Sequence, residues 1–222
     1  MPFSPLPVWP EEFQMLVDSF VTLKCRYQSA LREVRTKLEI LDDEFQMRHS
    51  RNPIHHMESR IKSPQSIAQK LRRKNLPLTP ESAMKNLRDI AGIRVVCAYL
   101  NDIYTIAGLL TRQDDIHLVQ ERDYIRNPKP NGYRSLHLIV EVPVFFSEGK
   151  LMLPVEVQIR TIAMDFWASL EHKIRYKEVV DVPENLNEEL YDAAERISAL
   201  DGDMQRIHDR MVQMISSAVP KD

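Results

Sequence analysis

The chain has 222 residues, of which 43% are hydrophobic and 28% are charged, as is typical of a folded globular protein. Its formal net charge of -2 excludes a general attraction to nucleic acid or to an anionic membrane, so a polyanion site must be a local cluster of cations. No apolar run approaches membrane-spanning length, and the distant Cys25 and Cys97 are expected to be buried, reduced thiols. We therefore expect a cytoplasmic protein with no membrane partner.

The first fifty residues predict one long helix. After a proline-rich lead that should be extended, residues 11–47 place apolar side chains at three- and four-residue steps, and such a stripe is expected to need a second helix to cover it. The stripe consists of Leu16, Phe20, Leu23, Tyr27, Ala30, Val34 and Leu41. The pattern fails over residues 48–60, where an Asn-Pro pair and the adjacent His55 and His56 predict a loop.

Two hydroxyl-proline pairs predict the starts of shorter helices, because a hydroxyl can cap the first turn and proline fits the first helical position. Ser63 with Pro64 begins a basic helix that should end near Lys74, and residues 79–80 begin one that should reach Leu87. Six cations lie within residues 60–74, and Ser66, Lys70, Arg73 and Lys74 are neighbours at helical spacing. The cluster suits a polyphosphate at a helix N-terminus, but on this stretch alone a solvated basic helix or a nucleic-acid patch is the favoured interpretation.

Four further segments predict strands of a mixed α/β sheet. Residues 90–99 have the length of a buried strand, and residues 116–125 return as another after a helix that Asn101 can cap and that ends near Gln113. Residues 133–140 and 154–160 are joined through a hairpin turn at residues 147–150. Thr161 then caps a helix that runs to about Lys177. Helices between strands favour a mixed sheet, and we expect about five strands flanked by helices.

The last two predicted strands carry polar and charged side chains on one face. Their alternation turns one set of side chains toward the core and the other set outward. The inward set is Leu136, Leu138, Val140, Val155, Val157 and Ile159, and the outward set is Tyr133, Ser135, His137, Glu156, Gln158 and Arg160. A carboxylate, an amide, a guanidinium, an imidazole and a phenol on one face predict a binding site.

Two acids could meet at this face. Asp89 stands at the mouth of the strand at residues 90–99, and if that strand neighbours the one carrying Glu156, both carboxylates lie near the basic helix. Two carboxylates with water suit Mg²⁺ that carries phosphates, although a single acid at a strand edge is usually only solvent-facing. Tyr133 could stack on a base, worth roughly 1–3 kcal/mol, or it could equally be a core tyrosine.

The segment beyond Pro183 predicts a final long helix with a sustained heptad seam. The seam consists of Leu190, Ala193, Ile197, Leu200, Met204, Ile207, Met211 and Met214. It could pack on the N-terminal helix of its own chain or join subunits, and the sequence leaves both open.

Taken together, the motifs resemble the synthetase domain of RelA/SpoT enzymes over about residues 54–177, and most closely a stand-alone small alarmone synthetase. They are RIK at 60–62, DIAGIR at 89–94, RDYI at 122–125, NGYRSLH at 131–137, EVQIRT at 156–161, FW at 166–167 and EH at 171–172. The resemblance implies a nucleotidyltransferase-like fold in three parts: an N-terminal helical extension (1–53), the synthetase domain (54–180) and a C-terminal heptad helix for oligomerisation (181–222).

The resemblance also implies transfer of pyrophosphate from ATP to the 3′-hydroxyl of GDP or GTP, and possibly GMP, with Mg²⁺. Asp89 and Glu156 would hold the metal, and Glu156 would also take the proton of the attacking hydroxyl. ATP would be bound by Arg60, Lys62, Ser66, Lys70, Arg73 and Arg94, with the adenine between the first and last of these. Tyr133 would stack on guanine, and Arg122, Lys129, His137 and Gln158 would line the acceptor site.

Three functions follow as hypotheses. The first is an alarmone synthetase that acts as a homo-oligomer, with a tetramer favoured and no stable nucleic-acid partner. The second is a pyrophosphotransferase whose acceptor is the 3′ end of tRNA, which the acidic net charge and Tyr133 disfavour. The third is a catalytically silent nucleotide-binding or helical assembly module, which the retained carboxylates and cations disfavour.

Overall fold

A computed structural model of the chain describes residues 11–49, 51–177 and 184–218. The extended lead expected before residue 11 lies outside the described residues. The elements are α1 (Glu11–His49), β1 (Ile54–Ile61), α2 (Pro64–Arg73), α3 (Pro80–Asn86), β2 (Ala91–Cys97), α4 (Leu100–Thr111), β3 (His117–Asp123), β4 (Leu136–Phe146), β5 (Gly149–Thr161), α5 (Ile162–Lys177) and α6 (Glu184–Ala218).

The predicted mixed sheet is confirmed. Five strands lie in the order β1-β2-β5-β4-β3, with β2 parallel to β5 and the other neighbours antiparallel. The inward side chains of β4 and β5 alternate with the polar ones as expected, because one face of each strand packs into the core. The two strands predicted to form a hairpin do so, and β2 brings the segment after Asp89 beside the strand that carries Glu156.

The apolar face of the sheet is covered by α1 and α4. Most of the predicted stripe of α1 is buried, in the same core as β2, β4 and β5: Leu23, Tyr27, Ala30, Val34 and Leu41. Phe20 is only partly buried, and the side chain of Leu16 lies outside what the structure describes. The expectation that another helix would cover this stripe is wrong, because most of that cover comes from the sheet. The three-part domain division stays a prediction, and α1 shares its core with the synthetase region.

The loop predicted over residues 48–60 is wrong in its second half, which is strand β1. This strand lies at the edge of the sheet and pairs only with β2. Most of its residues are exposed on both faces, so it has none of the apolar alternation by which strands are found in a sequence. His55 and His56 lie at a register irregularity of this edge strand, with their Nδ1 atoms 2.8 Å apart.

The predicted helix starts hold at three of four positions. The hydroxyls of Ser63, Thr79 and Thr161 accept hydrogen bonds from backbone N–H groups three residues later, at 3.1–3.2 Å. Asn101 does not cap α4, which begins at Leu100. Its backbone N–H instead donates to Gln205 Oε1 of α6 at 2.9 Å, so a distant helix satisfies this end.

The terminal helix α6 packs on α5 and α4. Leu190, Ala193 and Ile197 lie against the buried Trp167 and Ala194. The rest of the predicted seam is exposed, from Leu200 (54%) to Met214 (70%). Gly132, at φ +84°, meets α6 where a Cβ atom would lie 2.5 Å from that of Ala194, so the turn before β4 needs glycine.

Two smaller expectations have mixed outcomes. Cys97 is buried as predicted, whereas Cys25 is exposed, so the expectation of a buried thiol is wrong there. None of the helices within the described residues has an apolar stretch long enough to cross a membrane.

Candidate active site

The register of the central strands gathers the polar side chains into one surface. Arg60 of β1 lies opposite Gly92 of β2, which lies opposite Glu156 of β5, so all three share a face. A Cβ atom at Gly92 would meet only ordinary contacts at 3.8–3.9 Å. Glycine is therefore not needed to avoid a clash, but the missing side chain leaves space between Arg60 and Glu156.

Two adjoining clefts of about 500 and 290 Å³ open on this face, within the size range of small-molecule sites. Asp89, Arg122, His137 and Glu156 line both. The first cleft adds Glu58, Arg60, Lys62, Arg94, Tyr124, Lys129 and Gln158. The second adds Lys70, Lys74, Asn86, Arg88 and Gln120. Cations outnumber acids in both clefts, as a polyphosphate site requires.

Asp89 lies where the two clefts meet and is held by two lysines. Lys62, at the end of β1, and Lys70, on α2, both donate to its Oδ2 atom. Burial favours the neutral carboxyl, but the two lysine hydrogen bonds outweigh it, so the pKa of Asp89 lies below its ordinary value. The other oxygen, Oδ1, is buried and has no hydrogen-bond partner within the described residues. A buried anionic oxygen without a donor is suited to a cation.

Glu156 is held by a different set of partners. Gln158 Nε2 donates to its Oε2 atom at 2.9 Å, and His137 Nδ1 lies 3.6 Å from its Oε1 atom. Burial favours the neutral form here too, but the interactions of His137 and the hydrogen bond from Gln158 lower the pKa below its ordinary value. Glu156 is therefore a carboxylate at neutral pH.

The same network continues to Tyr133. Its hydroxyl is hydrogen-bonded to His137 Nε2 at 2.9 Å and accepts from Arg160 at 2.9 Å, while Arg160 also donates to Gln158 Oε1 at 3.0 Å. Burial raises the pKa of Tyr133, so the phenol stays protonated. The chain of polar groups fixes the orientation of each ring and amide beside Glu156.

The ring of Tyr133 is on the polar side of the sheet, as predicted. Lys129 Nζ lies 4.5 Å and Arg160 Cζ 5.4 Å from the ring centroid, while Lys129 also lies 4.7 Å from the centroid of Tyr124. Among the described residues, Tyr124 lines the first cleft and Tyr133 does not, although their ring centroids are 6.2 Å apart. The role of Tyr133 as a base platform stays a prediction.

Arg94 of β2 also lines the first cleft. It donates to Glu58 at 2.9 Å and lies 3.5 Å from Asp165, which Arg160 also contacts at 3.3 Å. These acids anchor one edge of the guanidinium, and Arg60 lies nearby on β1. The pair is thus available to the same ligand.

The structure brings most of the predicted site residues together. Asp89, Glu156, Arg60, Lys62, Arg94, Arg122, Lys129, His137 and Gln158 line the first cleft, and Lys70 lines the second. Within the part of the chain that the structure describes, Ser66 and Arg73 are not among the lining residues. Ser66 contacts Ser63 at the start of α2, and Arg73 is exposed at its end. Their roles in ATP binding stay predictions.

Sequence reasoning assigned no role to several residues of the clefts. Tyr124 lies directly after β3 and lines the first cleft. It belongs to the RDYI motif at residues 122–125, which could have indicated it, but only Arg122 of that motif was assigned to the site. Glu58 was missed because β1 was interpreted as a loop. Arg88 follows α3, whose end meets the sheet only in the fold, so nothing in its local pattern could place it at the second cleft. Lys74 was predicted only as a member of the basic cluster, without a place in the site, and it lines the second cleft.

Comparison with known proteins agrees with this geometry. Residues 59–181 match the family described as the region found in RelA / SpoT proteins. The GTP pyrophosphokinase YwaC of Bacillus subtilis is 48% identical over 178 residues, which are 80% of this chain and 85% of that protein.

Solved structures are similar as well. The small alarmone synthetase 2 of B. subtilis superposes with a TM-score of 0.78 at 44% identity, covering 87% of this chain and 99% of that one. The small alarmone synthetase 1 of B. subtilis, bound to its product pppGpp, gives a TM-score of 0.76 at 36% identity, over 83% and 93% of the two chains. The residues that match the family include most of the sheet and of the cleft lining, and these relatives are similar over most of their length. This chain therefore belongs to the RelA/SpoT family.

Proposed function

We propose that the protein is a Mg²⁺-dependent (p)ppGpp synthetase, which transfers pyrophosphate from ATP to the 3′-hydroxyl of GDP or GTP. One observation carries the proposal: the carboxylates of Asp89 and Glu156 line one cleft whose other charged groups are mostly cations. ATP and GTP together bring about eight negative charges to that cleft, and phosphoryl-type transfer depends mainly on neutralising and aligning such charge. The similarity to GTP pyrophosphokinases supports it.

The residues fit a magnesium ion. Within the described residues Asp89 Oδ1 is buried without a donor, and the ionised Glu156 lines the same cleft. The charge of Asp89 raises the pKa of Glu156, but His137 and Gln158 lower it by more. Within the described residues no cluster of three or more His, Cys, Asp or Glu could hold a metal. Two carboxylates are nevertheless what Mg²⁺ commonly uses, since water and substrate phosphates complete its shell. When bound, the ion would neutralise phosphate charge at the transferred group.

Glu156 is the proposed proton acceptor. The 3′ oxygen of GDP or GTP forms a bond to the β-phosphorus of ATP. The bond between that phosphorus and the α,β-bridging oxygen breaks, and AMP leaves. The hydroxyl proton passes to a Glu156 oxygen, which is ionised at neutral pH. His137 and Gln158 hold this carboxylate in place through the contacts described above.

The donor and acceptor nucleotides are proposed to lie on opposite sides of Glu156. Arg60 and Arg94 lie at the β1–β2 side, where the adenine would fit between two guanidinium planes, and Lys62 and Lys70 continue toward the phosphates. Tyr124, Tyr133 and Lys129 lie at the β3–β4 side, where the rings would meet the guanine. Ser66 and Arg73 are proposed to join the phosphate contacts on α2.

The test is product identity. The protein, ATP and Mg²⁺ should convert GDP to ppGpp and GTP to pppGpp with one AMP per product, as resolved by anion-exchange chromatography. GMP serves as a third acceptor, and tRNA with γ-labelled ATP serves as a control acceptor. Formation of ADP alone, or labelling of tRNA and not of GDP, would contradict the proposal. Because both substrates are cytoplasmic nucleotides, the cytoplasm is the proposed site of action.

We further propose that the protein is a homo-oligomer, with a tetramer favoured. Leu200, Met204, Ile207 and Met211 form an exposed apolar row on α6, each at least 45% accessible. Ile207→Glu should lower the mass measured by light scattering, whereas Gln213→Glu on the same helix should not. An unchanged mass in both variants would contradict a role for this row.

A further inference from the structure

The second cleft leads away from Glu156 on the side of the sheet opposite the proposed adenine site. One row of paired residues crosses all five strands, in the order Arg60, Gly92, Glu156, Ile139 and Gln120. The first cleft lies over the β1–β2–β5 part of this row and the second over the β5–β4–β3 part, so the two meet at Glu156. Among the described residues, Arg60 lines the first cleft and not the second.

Two parts of the proposed substrates could extend into this second cleft. In the proposed reaction, the 3′-hydroxyl of the acceptor and the β-phosphorus of ATP both lie at Glu156. The 5′-phosphates of the acceptor leave the ribose from the carbon next to the one that carries the 3′-hydroxyl, and the γ-phosphate of ATP is attached to the β-phosphorus. Both groups are phosphate anions, and lysines and arginines outnumber acids in the lining of the cleft.

Two of the four lysines and arginines in this cleft are free to bind an anion. Lys70 and Arg88 are each bound to a carboxylate. The side chains of Lys74 and Arg122 form no hydrogen bond or ion pair within the part of the chain that the structure describes. These two cations come from different elements, the end of α2 and strand β3, so a phosphate group between them would be neutralised by both.

The way in which α2 ends determines the position of Lys74. Lys74 is the C-cap residue, and Asn75 after it has the left-handed backbone conformation, with φ at +54°. The backbone N–H of Leu76 then donates to the carbonyl of Leu71 at 3.0 Å, which closes the last turn. Residues four apart lie on one face of a helix, so Lys74 stands one turn beyond Lys70 in the same cleft.

We propose that the second cleft binds the 5′-phosphates of the guanine acceptor, and that Lys74 makes the enzyme favour acceptors with more of them, GTP over GDP and GDP over GMP. The inference rests on the proposed synthetase activity and names its acceptor preference. The γ-phosphate is the less favoured occupant, because Lys62 and Lys70 already supply cations beside Asp89. The free cation Arg122 lies instead on β3, at the acceptor side of Glu156.

Lys74→Met tests the proposal with acceptors that differ only in their 5′-phosphates. Losing this charged contact should lower kcat/KM roughly 10- to 100-fold for GTP and less for GDP, and should change it less than about two-fold for GMP. The KM for ATP should stay the same. Initial rates measure these constants, with GMP followed as a substrate or as a competitive inhibitor. Because the side chain is exposed, the melting temperature should not change.

Arg72→Met is the matched control. It removes a cation from the same end of α2, but Arg72 lines neither cleft within the described residues, so all these constants should remain as in the wild type. Equal losses with all three acceptors, or no loss with any, would overturn the proposal. A rise confined to the KM for ATP would also overturn it, since the cleft would then hold the γ-phosphate.

Failure of the proposed function would give a different result. A wild type that forms neither ppGpp nor pppGpp would contradict the synthetase activity itself. The dissociation constants of GMP, GDP and GTP, measured by calorimetry without ATP, would still test the preference. Affinity that rises with each 5′-phosphate in the wild type, and that loses this rise in Lys74→Met, is the expected result. Affinity that does not depend on the number of 5′-phosphates would overturn the inference.

Discussion

Asp89 and Glu156 line the same cleft and are similarly enclosed, with side-chain exposures of 17% and 23%, but their partners are different in kind. Asp89 is held by two ammonium groups from β1 and α2, whereas Glu156 is held by the imidazole of His137 and the amide of Gln158. Burial by itself would raise the pKa of both carboxyls, and in both the partners reverse that effect.

The difference suggests a division of labour. The ammonium groups of Lys62 and Lys70 carry full positive charges, and both donate to one oxygen of Asp89. Such cations also neutralise phosphate charge, so this region is suited to binding a polyphosphate. The imidazole of His137 and the amide of Gln158 position the Glu156 carboxylate, and no lysine or arginine is hydrogen-bonded to it within the described residues, so it can accept a proton. Substitutions on the Asp89 side should therefore affect ATP, and those in the Glu156 network should affect the acceptor and turnover.

The largest effect is expected from Glu156→Gln. The amide keeps the shape of the side chain but cannot take a proton, so turnover should fall by on the order of 10²–10⁴-fold. The melting temperature should change little, because the side chain lies on the polar face. Glu141→Gln is the control, since Glu141 lies on the neighbouring strand β4, is 24% exposed and lines neither cleft within the described residues. Equal losses in both variants would contradict a specific role for Glu156.

Lys70→Met tests the Asp89 side. It removes one of two charged hydrogen bonds, each worth about 1.5–3 kcal/mol, so kcat/KM for ATP should fall roughly 10- to 100-fold. The KM for GDP should stay within a factor of a few. Initial rates with each nucleotide varied in turn measure both, and Lys85→Met on the exposed surface of α3 is the control. A rise in the KM for GDP alone would reverse the proposed division.

Tyr133→Phe should have a smaller effect and on the opposite nucleotide. It keeps the ring but removes the hydroxyl that His137 and Arg160 contact. Arg160 keeps Gln158 and Asp165 as partners and the ring stays in place, so we expect a loss of about 0.5–1.5 kcal/mol, and kcat/KM for GDP should fall roughly 2- to 10-fold while the KM for ATP is unchanged. Tyr133→Ala, which also removes the ring, should be weaker still. If the two variants were indistinguishable, the ring itself would have no role in acceptor binding.

How far the sequence could predict this site depends on the element. The alternation in β4 and β5 predicted which side chains share the polar face, because each strand packs its apolar side chains into the core and turns the others to the opposite side. It did not predict that Ser135 and Arg160 of the outward set are themselves buried. The hydroxyl caps at Ser63, Thr79 and Thr161 were predictable because capping is local.

Features set by distant partners were not predictable in this way. Most residues of strand β1 are exposed on both faces, so no regular alternation marks the strand in the sequence, and Glu58 was missed with it. The cap of α4 comes from Gln205, more than a hundred residues away. The pKa directions of Asp89 and Glu156 depend on which side chains meet across the sheet, which the local pattern does not contain.

A third buried carboxylate, Asp201, shows what happens without strong partners. It is 7% exposed on α6, and the hydroxyl of Thr161, which also caps α5, donates to its Oδ2 atom. Burial raises its pKa above the ordinary 3.8, and one neutral hydroxyl offsets only part of this. Comparable burial thus gives opposite pKa directions at Asp201 and Asp89, because one is paired with a hydroxyl and the other with two cations.

Asp201→Asn should remove a pH-dependent cost in stability. In the window between 3.8 and the raised pKa the native state binds more protons than the unfolded chain, so the wild-type free energy of unfolding falls as pH rises through it. The difference is about 1.4 kcal/mol for each tenfold change in proton affinity. The variant, whose amide can still accept from Thr161, should therefore gain stability relative to wild type between pH 4 and pH 7, measured by urea unfolding.

Asp89→Asn should show the opposite trend, because the stability from a lowered pKa is present at neutral pH and lost on acidification. If the difference in unfolding free energy between each variant and the wild type did not change with pH, the predicted pKa shifts of Asp201 and Asp89 would be contradicted.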